Sequence, residues 1–190
     1  MLSENRFALK EWSIAVKYLG EGKQILLLRK GGIREQKKGF SVEHLEFFLF
    51  PTFLHQAEES LIPAVHQDFR DLVAAQPGHQ KIEIRYYGVV EEVIRISELD
   101  RLHHLEGKHI LNWNWVEKRF HYRRPGLHLI LLRVYKLPRS RQIIAEKKYE
   151  GCVSWVEIEE ELSTWGAEMV LPEKEFEFRA DEVRQLFLGT

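Results

Sequence analysis

Cysteine is nearly absent from this sequence, which limits how the chain can be stabilised. Cys152 is the single cysteine among 190 residues, so no disulfide can form within the chain. A secreted domain of this size more often carries several paired cysteines. We therefore expect a cytoplasmic protein in which Cys152 is inert packing within an apolar strand.

Long apolar runs, linkers and repeats are absent as well. No stretch approaches the roughly 18 apolar residues that a membrane-spanning helix needs, and the N-terminal stretch MLSENRFALKEW lacks the basic and apolar regions of an export signal. The six prolines are scattered, and no Pro-, Gly- or Ser-rich linker divides the chain. These absences predict a single domain over residues 1–190 and no contact with a membrane.

The overall charge is close to zero, but its distribution along the chain is uneven. The formal net charge is −1, from 28 basic and 29 acidic residues. Residues 108–148 carry eleven Lys or Arg against two Glu, a local charge of +9, whereas residues 150–190 carry eleven acids against three basic residues, a local charge of −8. Such a division indicates either a basic binding face or two segments that neutralise each other in the fold.

The first apolar stretches have two interpretations. Trp12–Tyr18 and Gln24–Arg29 are apolar and rich in β-branched residues or leucine, and the glycines within Leu19–Lys23 between them predict a β-hairpin. The alternative is an amphipathic helix from Phe7 to Leu19, whose apolar residues partly fit helical spacing. Periodicity alone leaves both interpretations open.

The remaining pattern mixes strands with helices. Continuous or alternating apolar residues predict strands, and apolar residues at helical spacing predict helices. The predicted strands are Val42–Phe53, Ile82–Ile96 with a bend at Gly88, Leu127–Leu137 as a central strand ended by Pro138, Gln142–Glu146 and Cys152–Ile158; the predicted helices are Glu58–Gln76, a short one from Ser97 to His104 and a C-terminal one that starts at Pro172. We therefore predict an α+β fold with a mixed, mostly antiparallel curved sheet or partly open β-barrel, inserted helices and a C-terminal helix.

The first candidate site combines cations with glycines after a predicted strand, at Arg29, Lys30, Gly31, Gly32 and Arg34. Glycines permit unusual backbone angles, and free backbone N–H groups in such a turn can hold a phosphate or a carboxylate. The alternative is an ordinary Gly-Gly turn, since the spacing and the Lys-Ser/Thr ending of a Walker A motif are missing.

The second candidate site is an aromatic and basic segment that runs from Asn112 to Arg124. Bases stack on aromatic rings while cations contact phosphates, so the segment predicts nucleic-acid contacts. The residues that we assign to these contacts are Trp113, Arg119, Arg123 and Arg124. The alternative is an amphipathic helix in which Trp115, Phe120 and Tyr122 are core or rim residues and the charges face solvent.

The third candidate site is a possible polar cluster of Glu43, His44, Glu46, His55 and Gln56. His44 and Glu46 are two residues apart, so they would share one face of a strand. Two histidines and a carboxylate can bind a transition metal or share a proton, but no third ligand at a diagnostic spacing accompanies them, so we predict neither a metal nor a cofactor. The alternative is a set of buried, hydrogen-bonded polar groups without a catalytic role.

A nuclease motif is present in part. Glu146, Lys147 and Lys148 form the E-x-K ending of a metal-dependent nuclease core. No aspartate lies on the strand before it, and without that second carboxylate a magnesium site is incomplete.

Several blocks of the sequence together resemble a known family. They are ALKEW (8–12), QILLLRKGGI (24–33), EHLEFFLFPTFLHQ (43–56), RFHYR (119–123), LLRVYKLP (131–138) and GCVSWVEI (151–158). The chain resembles the bacterial domain of unknown function family 1802 over nearly its whole length. Related domains are associated with restriction-endonuclease-like domains, so the resemblance implies a role near nucleic acid, in a restriction or defence context.

A looser resemblance rests on the G-K-x-x-x-x-x-R stretch from Gly22 to Arg29. It is similar to PUA-like and ASCH-like domains, which implies binding of RNA or modified bases. Those domains usually have a carboxylate in the strand before the arginine, whereas Leu27 and Leu28 stand here.

Three functions follow from these patterns. The first is a nucleic-acid-associated binding domain with DNA or RNA as its partner, indicated by the +9 segment, its aromatic residues and the loop that starts at Arg29. The second is a metal-assisted nuclease or phosphodiesterase that uses His44, Glu46, His55 or Glu146. The third is a protein-interaction module without catalysis. The sequence leaves the oligomeric state open.

Overall fold

The computed structural model describes residues 1–30, 44–76, 81–149, 151 and 153–187. Within these ranges the chain forms seven strands and four α-helices in the order β1 (Glu4–Trp12), α1 (Ser13–Gly20), β2 (Leu26–Arg29), β3 (Glu46–Thr52), α2 (His66–Ala74), β4 (Lys81–Ile96), α3 (Trp113–His121), β5 (Leu127–Ile144), β6 (Trp155–Ser163), β7 (Glu168–Met169) and α4 (Glu173–Gln185). Short 3-10 turns lie at Glu58–Ser60, Pro63–Val65, Asp100–Leu105 and Lys147–Tyr149. None of the helices in these ranges is long and apolar enough to cross a membrane.

All seven strands belong to one sheet. The strand order is β2-β5-β4-β3-β1-β6, and β7 pairs with β5 beyond the part of β5 that β2 occupies. The pair β1 and β3 is parallel, and the other pairs are antiparallel. Among the described residues β2 and β6 form the two ends of the sheet, which is therefore open. The predicted α+β fold, with a mixed, mostly antiparallel sheet, inserted helices and a C-terminal helix, is confirmed.

Strand β5 explains why the longest apolar run could be assigned from sequence. Leu129 and Leu131 face one core cluster with α3 and α4, whereas Ile130 and Leu132 face another with α1. A strand that is covered on both faces needs apolar residues at every position. The prediction that this strand ends at Pro138 is wrong. The strand continues to Ile144 and includes most of the separate strand predicted at Gln142–Glu146.

A bulge accommodates the proline within β5. The pairing with β4 shifts between Ile84, opposite Arg141, and Tyr86, opposite Lys136, so that Pro138 lies in the extra length of β5. A bulged residue needs no ladder hydrogen bond, and proline has no N–H to donate. A second shift lies between Val90 and Glu92, and Gly88 lies between the two irregularities. The bend predicted at Gly88 thus corresponds to two pairing shifts on either side of it.

The N-terminal hairpin prediction is wrong, and the helical alternative is right for half of its length. Strand β1 extends to Trp12, and α1 starts directly at Ser13. Ile14 and Ala15 pack in one cluster with Leu61 and Val65, while Val16 and Leu19 pack against the sheet. Because α1 is buried on two sides, its apolar residues do not form the single stripe by which a helix is recognised.

The predicted helix over residues 58–76 is interrupted at proline. Two 3-10 turns precede α2, which begins at His66 and ends at Ala74. Ile62 is extended, with φ −69° and ψ 147°, because the residue before proline is disfavoured in the helical region. Pro63 starts the second turn, where its missing N–H costs nothing.

The two charged segments neutralise each other in part. Arg133 on β5 is 8% exposed and pairs with Glu173 at 2.7 Å and with Glu177 at 2.5 Å, both on α4. Lys108 and Lys148 also pair with acids of the C-terminal segment. The arginines and lysine of α3 and of the turn that follows it form no such pair among the described residues. The neutralising interpretation of the charge division therefore holds for Arg133, Lys108 and Lys148, and the binding-face interpretation stays a prediction for the others.

We expect Arg133→Met to lower the free energy of unfolding by about 1–2 kcal/mol. The substitution removes a guanidinium that lies 4.1 Å from the centroid of the Phe176 ring and that three carboxylates, including Glu91, share. Urea unfolding measures the effect. Lys136→Met, at an exposed position of the same strand, is the control. Equal unfolding midpoints for both variants and the unchanged protein would contradict the stabilising role.

Candidate functional site

A cleft of about 610 Å³ lies where strands β1, β2 and β3 end. Because β1 and β3 are parallel, their last residues, Trp12 and Thr52, are partners in the ladder and lie at the same edge of the sheet. Both line the cleft, as does Arg29 at the end of β2. Helix α3 adds Trp115 and Arg119 to the opposite wall. The fold thus brings distant segments together around one concave surface.

Arg29 connects the two ends of the open sheet. Its Nη1 donates to the Glu11 carboxylate at 2.7 Å and to the Lys10 carbonyl at 3.2 Å, and its Nη2 donates to Ser154 Oγ at 2.8 Å. Strand β2 is not a neighbour of β1 in the sheet, so the sheet must curl to make these contacts. The side chains of Arg29 and Glu11 are 16% and 14% exposed. Arg29 is therefore held firmly, with its charge largely offset by Glu11.

Lys30 lines the same cleft, but its ammonium group is occupied. It donates to the carbonyl oxygens of Phe120 at 2.6 Å and of Gly126 at 2.8 Å, and also to that of Arg124. Partial burial, and secondarily the nearby Arg119 guanidinium, lowers the pKa of Lys30. Arg29 and Lys30 are neighbours in the sequence, but the fold gives them different hydrogen-bond partners.

Helix α3 presents aromatic and basic side chains because its other face is fixed. Asn112 caps its N-terminus by accepting a hydrogen bond from the Trp115 N–H at 2.9 Å. Val116 and Phe120 are buried in the core. Trp115 is partly buried and contacts Trp12 edge to face, with ring centroids 5.4 Å apart. The helix is amphipathic, as the alternative interpretation predicted, and its outer residues form a wall of the cleft.

Arg119, like the other cations of α3 and of the turn that follows it, forms no ion pair among the described residues. Its guanidinium lies 5.0 Å from the centroid of the Trp115 ring. Although Arg119 is exposed, partial desolvation in the cleft and the like charge of Arg29 lower its pKa, and the Glu11 carboxylate opposes this shift in part. An arginine stays protonated at neutral pH in any case. Arg29 and Arg119 thus both line the cleft, and the single carboxylate of Glu11 offsets only part of their combined positive charge.

The other predicted aromatic and basic residues lie outside the cleft lining. Trp113 stacks on His103, with centroids 3.4 Å apart, and packs against the core. Arg123 and Arg124 are exposed on the turn after α3, and the Arg123 guanidinium lies 5.1 Å from the ring centroid of Tyr122, which does line the cleft. Arg123 and Arg124 therefore lie next to the rim of the cleft, whereas Trp113 is mainly a packing residue.

The polar cluster is divided by the fold. His44 precedes β3 and stacks on Phe7, with ring centroids 3.7 Å apart. The Glu46 carboxylate accepts hydrogen bonds from the Tyr87 hydroxyl at 3.1 Å and from the Leu2 N–H at 2.6 Å. These are separate sets of partners, so the two side chains do not converge on one ligand.

The other half of the cluster lies at the far end of β3. His55 lines the cleft and has a positive φ of 60°. Gln56 donates to Ser13 Oγ at 2.9 Å. The described residues include no group of three or more His, Cys, Asp or Glu side chains that could hold a metal ion. Glu146 of the partial nuclease motif pairs with Lys148 at 3.2 Å.

Four predicted site residues, Gly31, Gly32, Arg34 and Glu43, lie outside the described residues, as does Cys152.

Sequence reasoning did not single out several residues that line the cleft. Glu11, Trp12 and Ser154 belong to strand ends or loops whose only signal was membership in the blocks that resemble the family. His109 is another such residue: it is 6% exposed and lines the cleft. Its Nδ1 accepts from the Leu111 N–H at 3.2 Å, and burial lowers its pKa to about 4. The ring is therefore neutral at neutral pH.

Two solved structures are similar to this chain over most of its length. Both are single-substitution variants of ZmASCH from Zymomonas mobilis. One shares 10% sequence identity at a TM-score of 0.48 and covers 95% of this chain and 98% of that chain. The other shares 12% identity at a TM-score of 0.46 and covers 92% and 96%.

Sequence comparison gives the family. No curated protein matches the chain significantly. The family model described as "Domain of unknown function (DUF1802)" matches residues 8–182, a range that includes every block on which the resemblance rested. The chain therefore belongs to the DUF1802 family.

Proposed function

We propose that this protein binds single-stranded nucleic acid in the cleft between α3 and the ends of β1, β2 and β3. The observation that carries the proposal is that two cations, Arg29 and Arg119, and two aromatic residues, Trp115 and Tyr122, line one concave site, with the Arg119 guanidinium 5.0 Å from the centroid of the Trp115 ring. A groove that combines positive charge with aromatic rings is the usual means of binding unpaired strands.

The charge of the cleft favours an anion. Arg119 has the Arg29 guanidinium as a neighbour of like charge and no ion-pair partner among the described residues. Lys118 adds another exposed cation to the lining. A phosphate placed near Arg119 would relieve this repulsion and form charge-assisted hydrogen bonds with the guanidinium.

The shape of the cleft favours an unpaired strand over a duplex. Proteins read duplex DNA with an element that protrudes into a groove, whereas this surface is concave. Its volume of about 610 Å³ is in the range of sites that enclose a small ligand. The partly buried Trp115 and the half-exposed Tyr122 offer faces on which bases can stack, and every base has such a face.

Fluorescence anisotropy with single- and double-stranded RNA and DNA at several salt concentrations tests this proposal. Arg119→Gln should weaken binding of the single strand by roughly three- to tenfold near 50 mM salt and reduce the slope of log K against log salt by ~0.7. The reason is that one phosphate contact is lost.

Arg141→Gln is the matched control, because Arg141 is exposed on β5 and does not line the cleft. We expect this variant to bind like the unchanged protein. Absence of binding to all four nucleic acids at low salt, or an equal effect of both substitutions, would contradict binding in the cleft.

A further inference from the structure

The ammonium group of Lys30 has no free donor. A lysine ammonium has three N–H donors, and three carbonyl oxygens accept from this one: those of Phe120, Arg124 and Gly126. A phosphate would have to displace one of these carbonyls to contact Lys30. Lys118, which is exposed at the same cleft, has no such ring of carbonyls around it in the part of the chain that the structure describes.

The three carbonyls belong to the turn that ends α3. Phe120 lies in the last helical turn, where carbonyls lack helical partners and carry partial negative charge, and its carbonyl also accepts from the Gly126 N–H at 3.2 Å. Two residues of the turn have positive φ, Arg123 at 62° and Gly126 at 122°. Such conformations cost free energy unless the surroundings hold them in place. Lys30 is the side chain around which the turn closes.

This turn positions part of the cleft wall. Tyr122 lines the cleft, and Arg123 lies over its ring. We infer that Lys30 is a positioning residue that fastens the turn from Tyr122 to Gly126 and so preorders Tyr122 and Arg123 for nucleic acid, without contacting phosphate itself. The effect on binding rests on the proposed function, whereas the fastening of the turn does not.

Lys30→Met tests the inference in two measurements. In the free protein, hydrogen exchange of the Tyr122 and Gly126 amides should become faster by roughly tenfold or more, because the turn opens more often. Binding of a single-stranded oligonucleotide should weaken by roughly fivefold at every salt concentration, with an unchanged salt slope, because ordering the turn now costs binding free energy while the number of phosphate contacts stays the same.

Lys118→Met is the matched control. Lys118 is an exposed cation of the same cleft, and no ring of carbonyls from the described residues holds it. This variant should reduce the salt slope by ~0.7 and leave the exchange of both amides at the rate of the unchanged protein. The two lysines thus give opposite results in the two measurements.

A second variant perturbs the turn while Lys30 stays in place. A Cβ at Gly126 would lie 3.1 Å from the Ile96 carbonyl oxygen at a φ that disfavours any side chain, so Gly126→Ala should reproduce the behaviour of Lys30→Met. Unchanged amide exchange in Lys30→Met, a salt slope reduced by ~0.7 in that variant, or unchanged binding by Gly126→Ala each overturns the inference. If no variant and not even the unchanged protein binds an oligonucleotide, the proposed function fails, and amide exchange still decides whether Lys30 fastens the turn.

Discussion

Replacing Trp115 with leucine is expected to weaken the binding of a single-stranded oligonucleotide by roughly ten- to one-hundredfold. A loss of this size corresponds to the free energy that stacking one base on an aromatic ring contributes. Trp115 lines the cleft, supports the Arg119 guanidinium at 5.0 Å and contacts Trp12. The substitution therefore removes the stacking surface and loosens the cation above it. Titrations at low salt, followed by fluorescence anisotropy, measure the loss.

Trp113→Leu is the matched control for this prediction. Trp113 lies on the same helix, is also partly buried and packs against the same core cluster, but it stacks on His103 and does not line the cleft. Both substitutions should lower the unfolding temperature to a similar extent, since both remove a partly buried indole. Only Trp115→Leu should impair binding in the folded protein. A similar loss of affinity in both variants would mean that helix stability, not stacking in the cleft, controls binding.

The parts of the fold that could be predicted are those with one dominant local constraint. Strand β5 is covered on both faces, which demands a continuous apolar run, and α4 has Pro172 at its N-terminus and acids in its first turn. Both elements were predicted. Helix α1 was ambiguous because the sheet buries one side and the residues around Leu61 bury the other. The tertiary environment decided between hairpin and helix there.

The candidate site could be predicted only where its residues lie close together in the sequence. The aromatic and basic residues from Asn112 to Arg124 could be recognised in the sequence because α3 and the turn after it carry them close together. The contact between Arg29 and Glu11 depends on the curl of the sheet, and no local pattern encodes it. Glu46 and His55 lie at opposite ends of β3, so their proximity in sequence did not bring them together in space.

A count of charges along the sequence likewise does not show which charges the fold neutralises. The +9 segment contains Arg133, whose charge three glutamates neutralise, and Arg119, which has no ion-pair partner among the described residues. Sequence counts these two arginines alike. What distinguishes them is that β5 places Arg133 under α4, whereas α3 places Arg119 over the cleft. Within the +9 segment, the residues that the fold leaves without carboxylates are therefore the better candidates for contacts with an anion.

A second large effect is expected in acid, where His109 should make the protein less stable between about pH 6.5 and pH 4. Burial lowers the pKa of His109 from 6.5 to about 4 in the folded protein, and the nearby Glu106 opposes this shift only in part. In the unfolded chain the imidazole takes up a proton near pH 6.5, whereas the folded protein does not until about pH 4. The unfolded state thus binds more protons in this window. The free energy of unfolding therefore decreases as the pH is lowered, by roughly 3 kcal/mol in total.

Urea unfolding of the unchanged protein and of His109→Gln at several pH values across this window measures the effect. Whatever the substitution does to stability at neutral pH, it should flatten the dependence on pH, because glutamine does not titrate. His128, whose pKa burial also lowers, leaves some dependence in the variant. His104→Gln, at an exposed position, should keep the full slope. Identical slopes for His109→Gln and His104→Gln would show that the ring at the cleft wall accepts a proton without unfolding, and that the cleft opens to water in acid.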